Sequence, residues 1–434
     1  MVSIQKSDQS PQNFASPSPS GKQHQIVIVG GGAAGITVAS HLVDLDRGLD
    51  IAIIEPSDQH HYQPGWTLVG GGIAPIEKFT RSQREVMPPG TTWIQARVTT
   101  LDPDRNTVIT DCAGAIEYQY LVVCPGIQID WHLVEGLKEA LGHGGVTSNY
   151  AKAFAPYTWE TIQNFKGGNA LFTYPATPIK CGGAPQKVMY MADDTFKAKS
   201  GVGVNTSVLF CTAGKGLFSV PEYAASLEQV VARRGIVPKF QHNLKAIKAS
   251  TQEAIFEVTT EAGVEQISLH YDMIHVAPPM SAPDFIKNSP LASNTPGGWV
   301  AVDPATLQHL RYANVFSLGD ASSLPTSKTA AAVRKSAPIV SRNLYALIRG
   351  QSLQAQYDGY TCCPLITGYN SAIMAEFAYG GKLAPSFPLD PTQERYAMYL
   401  AKVHVLPWIY WHRMLKGKAF EADIFKPLHR LLQS

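Results

Sequence analysis

The chain has 434 residues, 45% of them hydrophobic and 16% charged, with a formal net charge of +2. That length is too great for one ordinary core and predicts two or three domains, while the near-neutral balance argues against nucleic acid as a partner. Six cysteines are too few for a disulfide-stapled scaffold and predict a few reactive thiols among inert ones.

Residues 1–23 are rich in Ser, Gln and Pro and lack the apolar core of a secretory signal. Such composition cannot bury enough surface to fold, so a disordered tail is expected. No later run reaches the roughly 18 apolar residues of a membrane-spanning helix, which predicts a soluble or peripheral protein.

The first element is HQIVIVG, a β-branched run that reads as a buried parallel strand. GGGAAG and a helix-like ITVASHLVDLD follow, then a second strand, DIAIIEP. Gly30, Gly32 and Gly35 fit G-x-G-x-x-G: a tight turn, room for a pyrophosphate, and close helix–strand packing. The helix N-terminus offers free N–H groups to the phosphates, and Glu55 stands where an acid accepts the ribose hydroxyls.

Downstream, EYQYLVVCPGIQ is a strand entering a turn at Gly126, and RYANVFSLGDASSLP is a strand ending at Gly319-Asp320. With the glycine turn they resemble the three fingerprints of the FAD-dependent, glutathione-reductase-like flavoproteins. The resemblance implies an α/β fold of two Rossmann-like domains, FAD as cofactor, and Asp320 at the flavin's ribityl–pyrophosphate region.

Between those segments a second Rossmann unit is expected, and there the pattern departs. After the strand NALFTYP the chain reads ATPIKCGGAPQKVMYMADDTF, with Pro178 and Lys180 in place of glycines and Cys181 in the turn. The next strand, SVLFCTAGKGLF, ends without a ribose-reading acid. The nicotinamide site is therefore expected to be vestigial. Cys181 precedes a helix-like run, whose dipole, with Lys180 beside it, predicts a lowered thiol pKa.

Cys363 sits before Pro364 in what reads as a Gly- and Tyr-bounded loop, with Cys362 pointing away from it. Cys112, Cys124 and Cys211 read as small buried hydrophobes. His60, His61, His242, His275 and His309 show no metal-ligand spacing, so no metal is expected. Glu160 and Lys187 are candidate proton-handling groups. Residues 396–420 are dense in aromatics and end basic. With Trp408, Tyr410 and Trp411 suited to a headgroup boundary, they predict an in-plane membrane anchor interrupted by Pro407.

TPIKCGGAPQKVMY, HVAPPMSAPD, GDASSLPTSKTAAAV and YDGYTCCPLITGYN together resemble the sulfide:quinone oxidoreductases of the mitochondrial type (type II). The resemblance runs from about residue 24 to near the C-terminus. It implies that Cys181 and Cys363 flank the flavin and cycle through a disulfide or sulfur-bridged state, with the persulfide on Cys181 and Cys363 facing the flavin. It also implies Lys328 beside the flavin's N1/C2 carbonyl side and electrons passing to a membrane quinone (ubiquinone, plastoquinone or menaquinone), with Tyr369 and Phe377 as candidate quinone contacts. The sulfur would leave to glutathione, sulfite, cyanide or another sulfide. Neither Cys112 nor Cys124 is assigned the third-cysteine role of bacterial-type members.

The expected divisions are a tail (1–23), a flavin domain in two parts (24–150 and 291–360), a second Rossmann-like domain carrying Cys181 (151–290), and a quinone- and membrane-facing region (361–434). The expected location is peripheral, on a bacterial plasma membrane or a mitochondrial inner membrane. Oligomeric state is left open, a homo-oligomer included. The rival readings are a type II NADH:quinone oxidoreductase and a non-catalytic flavoprotein acting as redox sensor or sulfur carrier.

Overall fold

The computed structural model describes residues 22–418 and carries them on two largely parallel sheets. Residues 1–21 of the expected tail lie outside the described residues, as do residues 419–434. Lys22 and Gln23 already belong to the first strand, Lys22–Val29, which shortens that tail. Ile26–Val29 are buried, as expected of a strand covered on both faces. Ile51–Ile54 and Ala115–Val123 flank this strand in parallel, and Val315–Ser317 adds in parallel to Ala115–Val123. The first sheet is thus completed by a segment that follows the whole second sheet in sequence.

The second sheet runs in the order Val146–Thr147, Met273–His275, Gly168–Tyr174, Thr206–Thr212, Val237–Lys239, all parallel. An antiparallel sheet of His242–Lys248, Glu253–Thr260 and Gly263–His270 covers part of it, burying Leu244 and Phe256 with Leu171 and Ile274. Helices Ala33–Leu45 and Ala330–Ile348 share the core of the first sheet. Helix Ala184–Ala198 packs between the second sheet and a hairpin, Thr361–Gly368 with Ser371–Phe377.

The C-terminal segment departs from the sequence reading in two ways. Pro407 does not interrupt it: helix Tyr396–Leu400 continues through a π-turn, Ala401–Val405, into helix Leu406–His412, where proline occupies the first turn. The widened turn absorbs the missing N–H and the ring's bulk. Nor do the aromatics share one surface. Trp408 is 50% exposed, whereas Tyr410 and Trp411 are buried in the first sheet's core. Among the described residues no helix is long and apolar enough to cross a membrane.

Candidate active site

Val29, Val123 and Ser317 are level across three neighbouring parallel strands. The turns at Gly30, Gly126 and Gly319-Asp320 therefore emerge together at the strands' carboxyl ends, where open α/β sheets bind ligands. Gly30 has a φ of 102°. A side chain at Gly35 would overlap the Gly30 carbonyl. Beside Gly32, at the start of helix Ala33–Leu45, no atom lies within 4 Å of where a Cβ would stand, so a pyrophosphate has room to approach. Gly126, with φ 89°, is equally open. The Glu55 carboxylate accepts the N–H groups of Gly31 and Ser57, each at 2.9 Å. These residues fit a dinucleotide.

Asp320 is raised by burial, against the opposing charges of Lys328 and Lys180. Lys328 Nζ donates to the carbonyls of Asp320 (2.7 Å) and Ser322 (3.0 Å) and lies 3.8 Å from the Trp299 ring centroid. Burial pushes its ammonium down to about 8. Lys328 therefore ties the Gly-Asp turn shut from below.

From Lys328 the site extends to both cysteines. The Cys181 N–H donates to the Lys328 carbonyl at 2.8 Å. The next hydroxyl, Thr329, meets Thr361 at 2.8 Å, two residues before Cys363. Residues 175–183, which replace a phosphate turn, make a detour that carries Cys181 across to the first unit. Cys181 sits there at a φ of 54°. Gly183 permits the close approach that follows, because a side chain there would overlap Leu365 on the Cys363 strand.

Cys363 is not in a loop. It lies within the buried strand Thr361–Gly368, and alternation sends its side chain toward helix Ala184–Ala198 while Cys362 enters the opposite core. Pro364 is tolerated because, among the described residues, this is a two-stranded ribbon with no third strand on the outer edge of Thr361–Gly368.

The two thiols are free and close enough for each to shift the other's ionisation. Cys181 is held well below the ordinary thiol range, first by the Cys363 S–H and then by Lys187, with burial opposing. Lys187 Nζ stands 3.1 Å from the Cys181 sulfur and is 2% exposed. Cys363 is pushed up, as donor to Cys181 and by burial. One proton is thus shared by a thiolate and a thiol.

The cation beside Cys181 is Lys187, not Lys180. Lys180 Nζ turns away to Gln63 Oε1 (2.8 Å) and the Trp66 ring. A further lysine, Lys402 of the π-turn, is also buried. It donates to the Pro64 carbonyl at 3.0 Å and is pushed down to about 7 by burial and by Lys187. The sequence reading missed it; the available signal was one lysine within the apolar run YLAKVHV. Glu160 is exposed on helix Ala155–Asn164, away from solvent-shielded chemistry. Cys124 and Cys211 are buried, as expected, but Cys112 is exposed. Phe377 is buried beside the Phe218 ring, and the Tyr369 hydroxyl donates to the Gly71 carbonyl at 2.6 Å.

A family model, pyridine nucleotide-disulphide oxidoreductase, matches residues 24–158. The mitochondrial sulfide:quinone oxidoreductase of Mus musculus is 44% identical over 91% of this chain and 87% of its own. That of Dictyostelium discoideum is 44% identical over 97% and 95%. The chain belongs to the sulfide:quinone oxidoreductases. The crystal structure of the sulfide:quinone oxidoreductase from Aquifex aeolicus shares the fold, with a TM-score of 0.79 at 20% identity over 94% of this chain and 95% of that one. As a sulfide:quinone oxidoreductase, this protein is an FAD-dependent enzyme, and the NADH:quinone alternative is disfavoured.

Proposed function

We propose that this chain oxidises sulfide at Cys181 and Cys363 and passes two electrons to a membrane quinone. The observation that carries the reading is the thiolate–thiol pair assembled from opposite halves of the chain, with Lys187 against Cys181. In the oxidised pair, hydrosulfide attacks the Cys181 sulfur. The S–S bond breaks, a persulfide forms on Cys181, and the electron pair leaves with Cys363 as thiolate. Lys187 and Lys402 favour the incoming anion and the sulfur charge that develops. An acceptor then removes the outer sulfur, leaving the Cys181 thiolate, and re-forming the disulfide releases the two electrons sulfide brought in. FAD, when bound, supplies the two-electron acceptor between the pair and the quinone.

Gly30, Gly32, Gly35, Glu55, Gly126, Asp320 and Lys328 are assigned to hold that cofactor, and its domain is assigned to 24–150 with 291–360, less the stretch around Val146–Thr147, which joins the second sheet. The sulfur acceptor is assigned as glutathione, sulfite or cyanide. The exposed side of the C-terminal segment carries Tyr396, Val405 and Trp408, with Lys416 and Lys418 beyond. That combination supports peripheral binding to an anionic membrane surface. The mitochondrial relatives favour a mitochondrial membrane.

An anaerobic titration of the FAD-loaded protein tests this reading. Sulfide is expected to bleach the flavin, a short-chain quinone to restore its colour, and NADH to do nothing. A flavin that sulfide leaves oxidised sinks the proposal, and one bleached by NADH alone revives the rival enzyme.

A further inference from the structure

One group beside the sulfur pair has no task in the reduced state. Tyr150 is 4% exposed, and its hydroxyl is sealed from solvent with no hydrogen-bond partner among the described residues. Buried phenols ordinarily find a partner. The ring belongs to a small cluster with Ile179, Ala184, Ala277 and Met280, against which Cys181 and Tyr174 pack. Its electrostatic neighbours are Cys181, Tyr174 and Cys363.

The backbone that carries this ring is held in place. Ser148 Oγ donates to the Val276 carbonyl at 2.8 Å, the Asn149 N–H donates to His275 Nε2 at 3.0 Å, and the Tyr150 N–H donates to Ser148 Oγ at 3.3 Å. The loop is therefore laced to the strand Met273–His275 and its continuation. Cys181 Sγ already has the Cys363 S–H and the Lys187 ammonium. An unused donor in a rigid wall, next to a sulfur already supplied, fits an atom that arrives only during turnover.

We propose that the Tyr150 hydroxyl donates a hydrogen bond to the outer sulfur of a persulfide on Cys181. The assignment rests on the reading given under Proposed function. Hydrosulfide breaks the disulfide to give Cys181–S–SH and the Cys363 thiolate, which takes the persulfide proton. The outer sulfur is left anionic. Lys187 serves the inner sulfur and Tyr150 the outer one. Tyr150 thereby lowers the persulfide pKa and holds the sulfur for its acceptor.

The test uses the FAD-loaded protein, one equivalent of sulfide without oxygen, and iodoacetamide trapping of the Cys181 peptide across a pH series, read by mass spectrometry. In Tyr150→Phe the acid midpoint of persulfide alkylation is expected to rise by about one pH unit, roughly a tenfold loss at a pH below both midpoints. Thermal stability is expected to hold, since the hydroxyl removed has no protein partner. Tyr118→Phe is the control, removing a similarly orphaned hydroxyl that sits near Asp102, Asp104 and Tyr312, and its midpoint is expected to match wild type. Equal midpoints in Tyr150→Phe and wild type overturn the assignment. So does a change in the flavin spectrum of Tyr150→Phe before sulfide is added, because the hydroxyl then faces the cofactor. If wild type itself yields no trapped persulfide on Cys181, the underlying reading fails and the assignment with it.

Discussion

Each of the two largely parallel sheets sends a strand into a helix at its carboxyl edge, and the two connections have diverged. In the first, Gly30–Gly32 join Val29 to helix Ala33–Leu45 in the shortest path, leaving open space beside Gly32. In the second, residues 175–183 separate Tyr174 from helix Ala184–Ala198 and carry Cys181 to the Lys328 carbonyl. The comparison teaches that a strand–helix crossing is a place to present something, and that its length decides what. A tight glycine turn presents backbone N–H groups to a phosphate. A long one presents a side chain, here a thiolate.

The most severe break of this contrast is at the thiols themselves. Cys181→Ser or Cys363→Ser is expected to cost on the order of 10³-fold or more in sulfide-driven flavin reduction, with flavin content retained, read by anaerobic stopped-flow absorbance. Gly35→Ala attacks the other turn. Overlap with the Gly30 carbonyl is expected to cost several kcal/mol and yield flavin-poor protein, measured as the flavin-to-protein absorbance ratio. Restoring glycines in the second turn, with Pro178→Gly and Lys180→Gly together, is expected to gain no NADH activity, because the detour remains. NADH-driven bleaching in that variant breaks the argument from length.

Weaker effects sharpen it. His60 Nδ1–H donates to the Gly31 carbonyl at 3.2 Å and its Nε2 accepts from Tyr410 at 2.6 Å, so the buried ring is neutral. Burial pushes it down to about 4. The unfolded chain then binds this proton more readily between pH 6.5 and 4, so stability rises with pH across that window. About 3 kcal/mol is lost as pH falls through it, and His60→Gln is expected to flatten the melting temperature over the same range. Lys187→Met removes the cation from Cys181 and is expected to move the acid limb of sulfide oxidation up by about one to two pH units. Cys211→Ser is expected to leave turnover unchanged and cost about 1 kcal/mol, seen in a thermal melt.

What was legible in the sequence divides along the same line. The glycine turn, Glu55 and Gly319-Asp320 fall at the strand ends that their spacing predicts, since short-range spacing encodes short-range geometry. The cysteine pair was legible only through its unusual local runs. Which lysine serves Cys181 was not: Lys180 is its neighbour in sequence, but its ammonium is held by Gln63, and the helix after Gly183 brings Lys187 round instead. Cys363 was read as a loop residue because Pro364 argues against a strand, and only the free edge of the hairpin reconciles the two. Tyr410 and Trp411 looked interfacial because an aromatic run carries no mark of which side meets the core.

The contacts of residues 410–415 bear on how the molecule is made. Tyr410 reaches back 350 positions to His60, and the Leu415 carbonyl accepts from Ser40 across 375. Contacts of such sequence separation form late, and a ribosome adding roughly 5–20 residues per second holds the first sheet waiting for them. Until the C-terminal segment has cleared the exit tunnel, the dinucleotide turn lacks its back wall, and Lys402 is not yet beside the sulfurs. The wall behind the dinucleotide turn and the second lysine of the sulfur site are thus completed together, by one segment.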